Sequence, residues 1–339
     1  MTTRQDDFSP RRRHLFGVGL AACGLLALPS LHAAGSDASS KPALVKPLAA
    51  KGLLLAIARA GQRLVAVGER GHVLLSDDEG KTWRQAAAVP TRATLAALHA
   101  VDDKRLWAVG HGGTLMRSED AGEHWQLVPK AAQARDVLLA VRVEADGRGL
   151  AVGGFGLALV TTDGGTSWDQ AELLPGEAGE KHLNQIFVSA KGSWLIAAEG
   201  GQVLRRAAGA AGDLDKGWTA QATPYKGSYW CGTAVGERLV VGGMRGNLAQ
   251  SEDDGLSWRH LAVDGAGSFS GALALSAQKF ALVGVDGTLV AGTPDGQAAS
   301  LKLQRQDDRL GLHAALATAK GDALVTASAA GPKVVVLPA

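Results

Sequence analysis

Cysteine is close to absent from this chain: Cys23 and Cys231 are the only two in 339 residues. No cysteine–histidine spacing suited to zinc occurs, and His72, His99, His111, His124, His182, His260 and His313 are scattered, so neither a metal nor a cofactor is expected. Tyrosine is equally scarce, with Tyr225 and Tyr229 alone among an aromatic content of 5%. No Gly-x-Ser-x-Gly nucleophile elbow is present. The 45 glycines make many turns, but none opens a helix, which a phosphate-cradling loop requires.

Long apolar runs are confined to the start. Arg11, Arg12 and Arg13 precede an apolar stretch from Leu15 to Leu28, then Pro29 and the small-residue run Leu31-His32-Ala33-Ala34. Residues 1–33 read as an export signal, 34–42 as a linker and 43–339 as the folded domain. Arg12-Arg13-His14-Leu15-Phe16 also resembles a twin-arginine signal, and the sequence leaves twin-arginine and general export both open. Leu20-Ala21-Ala22-Cys23 resembles a lipoprotein box, but the residues after Cys23 stay apolar where a lipid tether is polar. The expected location is therefore the periplasm, without a lipid anchor. Removing the leader leaves 31 basic and 31 acidic residues, so a general nucleic-acid role has no electrostatic support. Cys231 alone remains, and an intramolecular disulfide is impossible.

What the sequence has in abundance is one phrase, repeated. SDDEGKTW (Ser76, Asp78, Gly80, Trp83) returns as SEDAGEHW (Ser118, Asp120, Gly122, Trp125), TTDGGTSW (Thr161, Asp163, Gly165, Trp168) and SEDDGLSW (Ser251, Asp253, Gly255, Trp258). Successive copies start 42, 43 and 90 residues apart. The last step is two units long, so one copy has decayed; Trp218 is its remnant, displaced by an Ala- and Gly-rich insertion from Ala207 to Gly217. A weak copy without tryptophan stands at Thr293-Pro294-Asp295-Gly296. Such a period marks an array of supersecondary units.

Each phrase follows two apolar strands joined by a glycine turn, as in RLVAVGERGHVLLS and RLVVGGMRGNLAQS, with a further apolar run upstream, such as LLLAIAR. Seven units fit between Leu53 and Ala339. Four short strands in about forty residues match a propeller blade, so the expected fold is an all-β, seven-bladed β-propeller. In the first unit, strands A to D fall at Leu53–Arg59, Arg63–Gly68, His72–Ser76 and Trp83–Ala87. The last unit lacks strand D. Ala43–Ala50 is expected to supply it and so to pair the N-terminus with the last blade.

The repeated phrase sits at the C–D hairpin. Ser or Thr and Asp fix a tight turn by accepting backbone N–H groups, and glycine supplies a positive φ. Tryptophan packs between neighbouring units. A calcium loop needs more oxygen ligands and a terminal glutamate. These residues are thus expected to serve architecture.

Ser/Thr-x-Asp-x-Gly-x-x-Trp resembles the Asp-box, or bacterial neuraminidase repeat. Val-Gly-x-x-Gly followed by the box resembles more closely the propeller-type photosystem II stability and assembly factors, a photosynthesis-linked family with members in non-photosynthetic bacteria. The resemblance covers 53–339. It implies a monomeric scaffold without catalysis, holding a membrane-associated protein partner during assembly, with no small-molecule substrate. It also implies a patch of arginines on one face.

The rival reading is an Asp-box glycoside hydrolase of sialidase type, or a carbohydrate-binding propeller. Sialidases need a tyrosine nucleophile and three arginines around a carboxylate. Here both tyrosines fall in one connection, and the short loops leave little material for a deep pocket. Propeller function usually lies where the B–C turns and inter-blade connections meet. Partner-binding candidates there are Arg70, Arg92, His111, Arg135, Lys181, Tyr225, Arg245 and Arg309, set against the alternative that they are ordinary solvated loop charges. Tyr225 is expected at the surface and Trp230 in the interior.

Overall fold

The computed structural model describes residues 41–128, 133, 136–261, 263–295, 297 and 300–338. The expected leader and Arg135 lie outside the described residues. Seven antiparallel sheets follow one another along the chain, six of four strands and a last one of three. Strand A of each blade lies at the axis: Leu54–Ala60, Leu95–Ala100, Leu138–Val143, Leu183–Val188, Tyr229–Val235, Phe269–Ala274 and Leu312–Ala317. Each touches the next, and the seventh touches the first. The chain is a closed seven-bladed propeller, which excludes an open solenoid.

Every A strand carries a β-bulge one residue after its start, seen as a register shift against strand B in all seven blades. The bulge explains the repeated Val-Gly that ends strand B. In the first blade, a Cβ on Gly68 would stand 2.0 Å from the Leu53 carbonyl oxygen. The close approach that the bulge creates leaves no room for a side chain. The seven bulged residues are Leu55, Ala96, Leu139, Asn184, Trp230, Ser270 and His313, and all seven line the axial channel. Trp230 is therefore half-buried at the axis, and the fully buried aromatic of its segment is Tyr229.

The four boxes repeat one hydrogen-bond pattern. In the first, Ser76 Oγ donates to Asp78 Oδ1 (2.9 Å) and accepts from Gly80 N (2.9 Å); Asp78 accepts from Thr82 N (2.8 Å) and Thr82 Oγ1 (2.6 Å). The fourth box matches it through Ser251, Asp253, Gly255 and Ser257. The Thr82 and Ser167 donors hold Asp78 and Asp163 down to about 2. Trp83, Trp125 and Trp258 each donate Nε1 to the carbonyl of their box glycine. Trp168 does not; it packs edge-on against Trp107 of the preceding blade, centroids 5.5 Å apart. The boxes thus dock each blade on the one before it.

The fourth blade reaches the same end with opposite chemistry. In place of a carboxylate gathering N–H groups, the buried Arg206 gathers carbonyls. Its Nε donates to Lys216 O (2.7 Å), and its Nη2 donates to Ala210 O (3.0 Å) and Gly212 O (2.8 Å). Trp218 is buried in the box tryptophan's role, with Nε1 donating to Leu214 O at 2.6 Å.

The expected closure by an N-terminal strand is not seen. Ala43–Ala50 forms no strand, and the last sheet ends at Gly331–Val336. Pro47, inside the segment, lacks the N–H that a ladder needs. The start of the segment lies on the first blade: Ala43 N donates to Val89 O (2.8 Å), Lys46 N to the Gln85 side chain (2.6 Å) and Arg92 Nε to Pro42 O (2.8 Å). Its end, a 3-10 turn over Ala49–Lys51, packs against the last strand and beside Val325. The ring is sealed by packing of Leu54, Ile57 and Leu74 on Val325 and Ala327. Arg59 reinforces the seam by holding Glu79 and the Ala317 carbonyl (3.2 Å), while Glu79 accepts from Ala319 N (3.1 Å).

Candidate functional site: the face of the B–C turns

The B–C turns are built to one plan. Their central residue is left-handed in six blades: Arg70 (φ 56°), Gly112 (67°), Phe155 (54°), Gly200 (74°), Arg245 (56°) and Asp286 (58°). The glycine that follows presses on the inter-blade connection, so the two kinds of loop meet. Gly113 N donates to Asp136 O (2.9 Å), Gly156 N to Lys181 O (3.0 Å) and Gly201 N to Gly227 O (2.7 Å). This brings the residues expected from the sequence onto one end of the ring.

They differ in what they do there. Arg70 is exposed, and its one ion-pair neighbour among the described residues is Glu69, at 3.8 Å. Arg92 spends its Nε on the Pro42 carbonyl. Arg245 is exposed, with no carboxylate within ion-pair distance among the described residues. Lys181 pairs with Glu177 (2.9 Å), and Arg309 pairs with Asp286 (3.0 Å), which Arg305 also approaches (3.6 Å). His111 is exposed and bridges to Val137. Tyr225 is half-buried, edge-on to Tyr229 with centroids 5.7 Å apart. Arg70 and Arg92 belong to the first blade and the connection after it, and Arg245 to the fifth blade, three blades away around the ring.

A groove of about 660 Å³ lies on this face across the second to fourth blades. Its floor is Val137, Leu139 and Leu157; His111, Phe155 and His182 stand around it, with Asp136 and Gln170 at the rim. Phe155 is 83% exposed, and its ring rests on His182, centroids 4.7 Å apart. Phe155 N donates to His182 Nδ1 (3.3 Å), which makes that imidazole nitrogen an acceptor. Phe155 is not among the candidates read from the sequence. The available signal was a phenylalanine between glycines where two other blades carry glycine.

The axial channel holds about 420 Å³, and no box carboxylate lines it. Several of its polar side chains are tied to the next blade. His99 meets Val143 O (3.0 Å), Asn184 donates to Tyr229 O (2.7 Å) and Ser270 to Leu312 O (2.6 Å). Burial, aided by the Arg142 charge, pushes the His99 pKa down to about 4; burial also lowers that of His313. Above pH 6.5 His99 is neutral folded or unfolded, and its contribution is complete. As pH falls from 6.5 toward 4 the unfolded chain takes up a proton that the folded chain refuses, so stability is lost. A loss of about 2–3 kcal/mol is expected across that window. Urea unfolding at pH 7 and 4.5 measures it, and His99→Gln should flatten the dependence; an unchanged slope in that variant would assign it elsewhere.

No family model and no curated protein matches the sequence. Solved structures do match the fold. YCF48 bound to a D1 peptide superposes with a TM-score of 0.65 at 16% identity, covering 88% of this chain and 97% of that one. YCF48 from Cyanidioschyzon merolae gives 0.64 at 16% identity, covering 87% and 98%. The WD40 repeats of RRP9 give 0.65 at 11% identity, covering 89% and 99%. At these identities the likeness is one of fold.

Proposed function

We propose that this chain is an exported, non-catalytic scaffold that uses the B–C face to hold a membrane-associated protein partner, in the manner expected of photosystem II assembly factors. The observation that carries the reading is the set of Arg70, Arg92 and Arg245 on one end of the ring, without close carboxylate partners beyond Glu69 among the described residues. A neutral ring that concentrates positive charge on one end attracts an acidic segment of a partner. A fold neighbour, YCF48, has been solved with a D1 peptide bound, which supports peptide capture by this architecture. The apolar run after the arginines of the leader supports a periplasmic site of action.

The glycosidase alternative has less to draw on. Tyr229 is fully buried, and Tyr225, half-buried, packs edge-on against it. The box aspartates are occupied by their own hairpins.

Capture from detergent-solubilised membranes by the tagged protein tests the proposal. The triple variant Arg70→Ala, Arg92→Ala, Arg245→Ala should fold normally and lose tenfold or more of the captured partner at low salt. Undiminished capture would refute the role of this face.

A further inference from the structure

The seventh blade ends one strand short. Its outermost strand is strand C, Gly331–Val336, while the blades on either side carry fourth strands at Leu301–Arg305 and Arg84–Gln85. Strand C lies on strand B with Lys333 opposite Thr326, Val334 opposite Val325 and Val335 opposite Leu324. Backbone groups in an antiparallel ladder alternate in direction, and two bonds fix which way each residue points. Ala323 O accepts from Thr318 N, so Ala323, Val325 and Ala327 turn their backbone groups toward strand A. Leu337 N donates to Asp322 O, so Gly331, Lys333 and Val335 turn theirs toward strand B. Pro332, Val334 and Val336 therefore face outward. The N–H groups of the two valines and all three carbonyls have no backbone partner among the described residues. In the first blade the fourth strand takes up these groups: Ala86 N donates to Val73 O (3.0 Å), and Leu75 pairs with Arg84.

The flank of this edge is apolar and open. Val334 is 50% exposed and Val336 68%, whereas Leu75, at the place of Val334 in the first blade, is 1% exposed. Natural edges are blunted by proline or charge. Here Pro332 and Lys333, which is tied to Asp308 (2.6 Å), blunt the end nearer the B–C turn. Val334 to Val336 carry no such device.

The shape of the edge chooses its occupant. The chain's own segment before the first blade is held elsewhere, by Ala43 on Val89 and by Gln85 on Leu44 and Lys46. A second copy would present an edge set back by the same step, about 4.8 Å, behind the fourth strands of its neighbours. Two recessed edges cannot meet. One extended polypeptide segment is a single strand wide and supplies its own row of N–H and C=O groups.

We infer that strand C of the seventh blade receives an extended segment of another protein as its fourth strand, with β-branched or other apolar residues at alternate positions to cover Val334 and Val336. This goes beyond the reading above, because a backbone ladder does not draw on the arginines of the B–C face.

The test uses the full chain and a labelled peptide without charged side chains, Gly-Ser-Thr-Val-Thr-Val-Thr-Ser-Gly, read by fluorescence anisotropy. Its counterpart is N-methylated at every valine and threonine. The probe should bind at least tenfold more tightly than the counterpart. Val334→Pro removes an outward N–H that the blade itself does not use, and should weaken the probe tenfold or more. The double variant Val334→Lys, Val336→Lys alters only exposed side chains; it should keep the native urea midpoint and also weaken the probe. Equal binding of the two peptides, or native binding by the double variant, would overturn the inference. Hydrogen exchange in the free chain should be fast at Val334 and Val336 and slowed by the probe. Protection without the probe would mean that the chain covers its own edge, and a dimer dissolved by Val334→Pro would put a second copy there; either result overturns the inference. The triple arginine variant should bind the probe normally, and loss of binding would move the probe to the B–C face. Undiminished membrane capture by that variant would sink the basic-face reading and leave the edge standing.

Discussion

Gly165→Ala is expected to cost about 3 kcal/mol or more of folding stability, while Gly164→Ala beside it costs about 1 kcal/mol. Both glycines are left-handed, at φ 82° and 70°. The conformational penalty is therefore shared. What differs is space. A Cβ on Gly164 meets nothing within 4 Å, whereas one on Gly165 would stand 2.2 Å from two ring carbons of Trp107. Trp107 is buried and locked edge-on to Trp168, so neither indole can retreat without opening the contact between the second and third blades. The box itself shows what is tolerated, since Glu79, Ala121 and Asp254 occupy the Gly164 position with φ near 60°. Urea unfolding followed by circular dichroism gives both values. Equal small losses would mean that the box glycine is kept for its backbone angle alone.

Arg206→Met should be nearly as damaging, at about 2–4 kcal/mol. Methionine keeps much of the volume but abandons the carbonyls of Ala210, Gly212 and Lys216, which the guanidinium collects at 2.7–3.0 Å. Arg206 is only 2% exposed, so water cannot readily take its place. Arg206→Lys should recover only part of the loss, because an ammonium cannot reproduce the planar fork. Destabilisation should appear first as cleavage within residues 207–217 under limited proteolysis. If Arg206→Met unfolds like the native chain, the fourth blade's hairpin does not depend on this residue.

Much of this architecture was legible because the repeat states it several times. Val-Gly, the acidic box and its tryptophan recur in phase, and the first blade's four strands lie within one or two residues of where the pattern puts them. Other features left no such mark. A bulge is one extra residue inside an apolar run, and LLLAIAR reads as unbroken strand, so the ring from Leu55 to His313 could not be seen. The expected closing strand over Ala43–Ala50 contains Pro47, which has no N–H to give a ladder. Arg206 was hidden because it replaces a carboxylate by a group of opposite charge, which a search for the same phrase passes over.

The candidate site was legible only in outline. Loop residues reveal their charge but not their partners: Arg309 and Lys181 share their charge with Asp286 and Glu177, while Arg245 does not. Phe155 was visible as an aromatic residue in a turn. Its exposure and its contact with His182 depend on how two blades meet, which no single repeat encodes.

The most direct measurement compares two triple variants of equal charge in the same membrane-capture assay. One removes Arg70, Arg92 and Arg245 from the B–C face; the other removes Lys104, Arg238 and Arg259 near the opposite end, where the boxes lie. Capture should collapse in the first and persist in the second. Equal loss in both would show that overall charge, not a face of the ring, governs association, and would contradict the assignment of partner binding to the B–C turns.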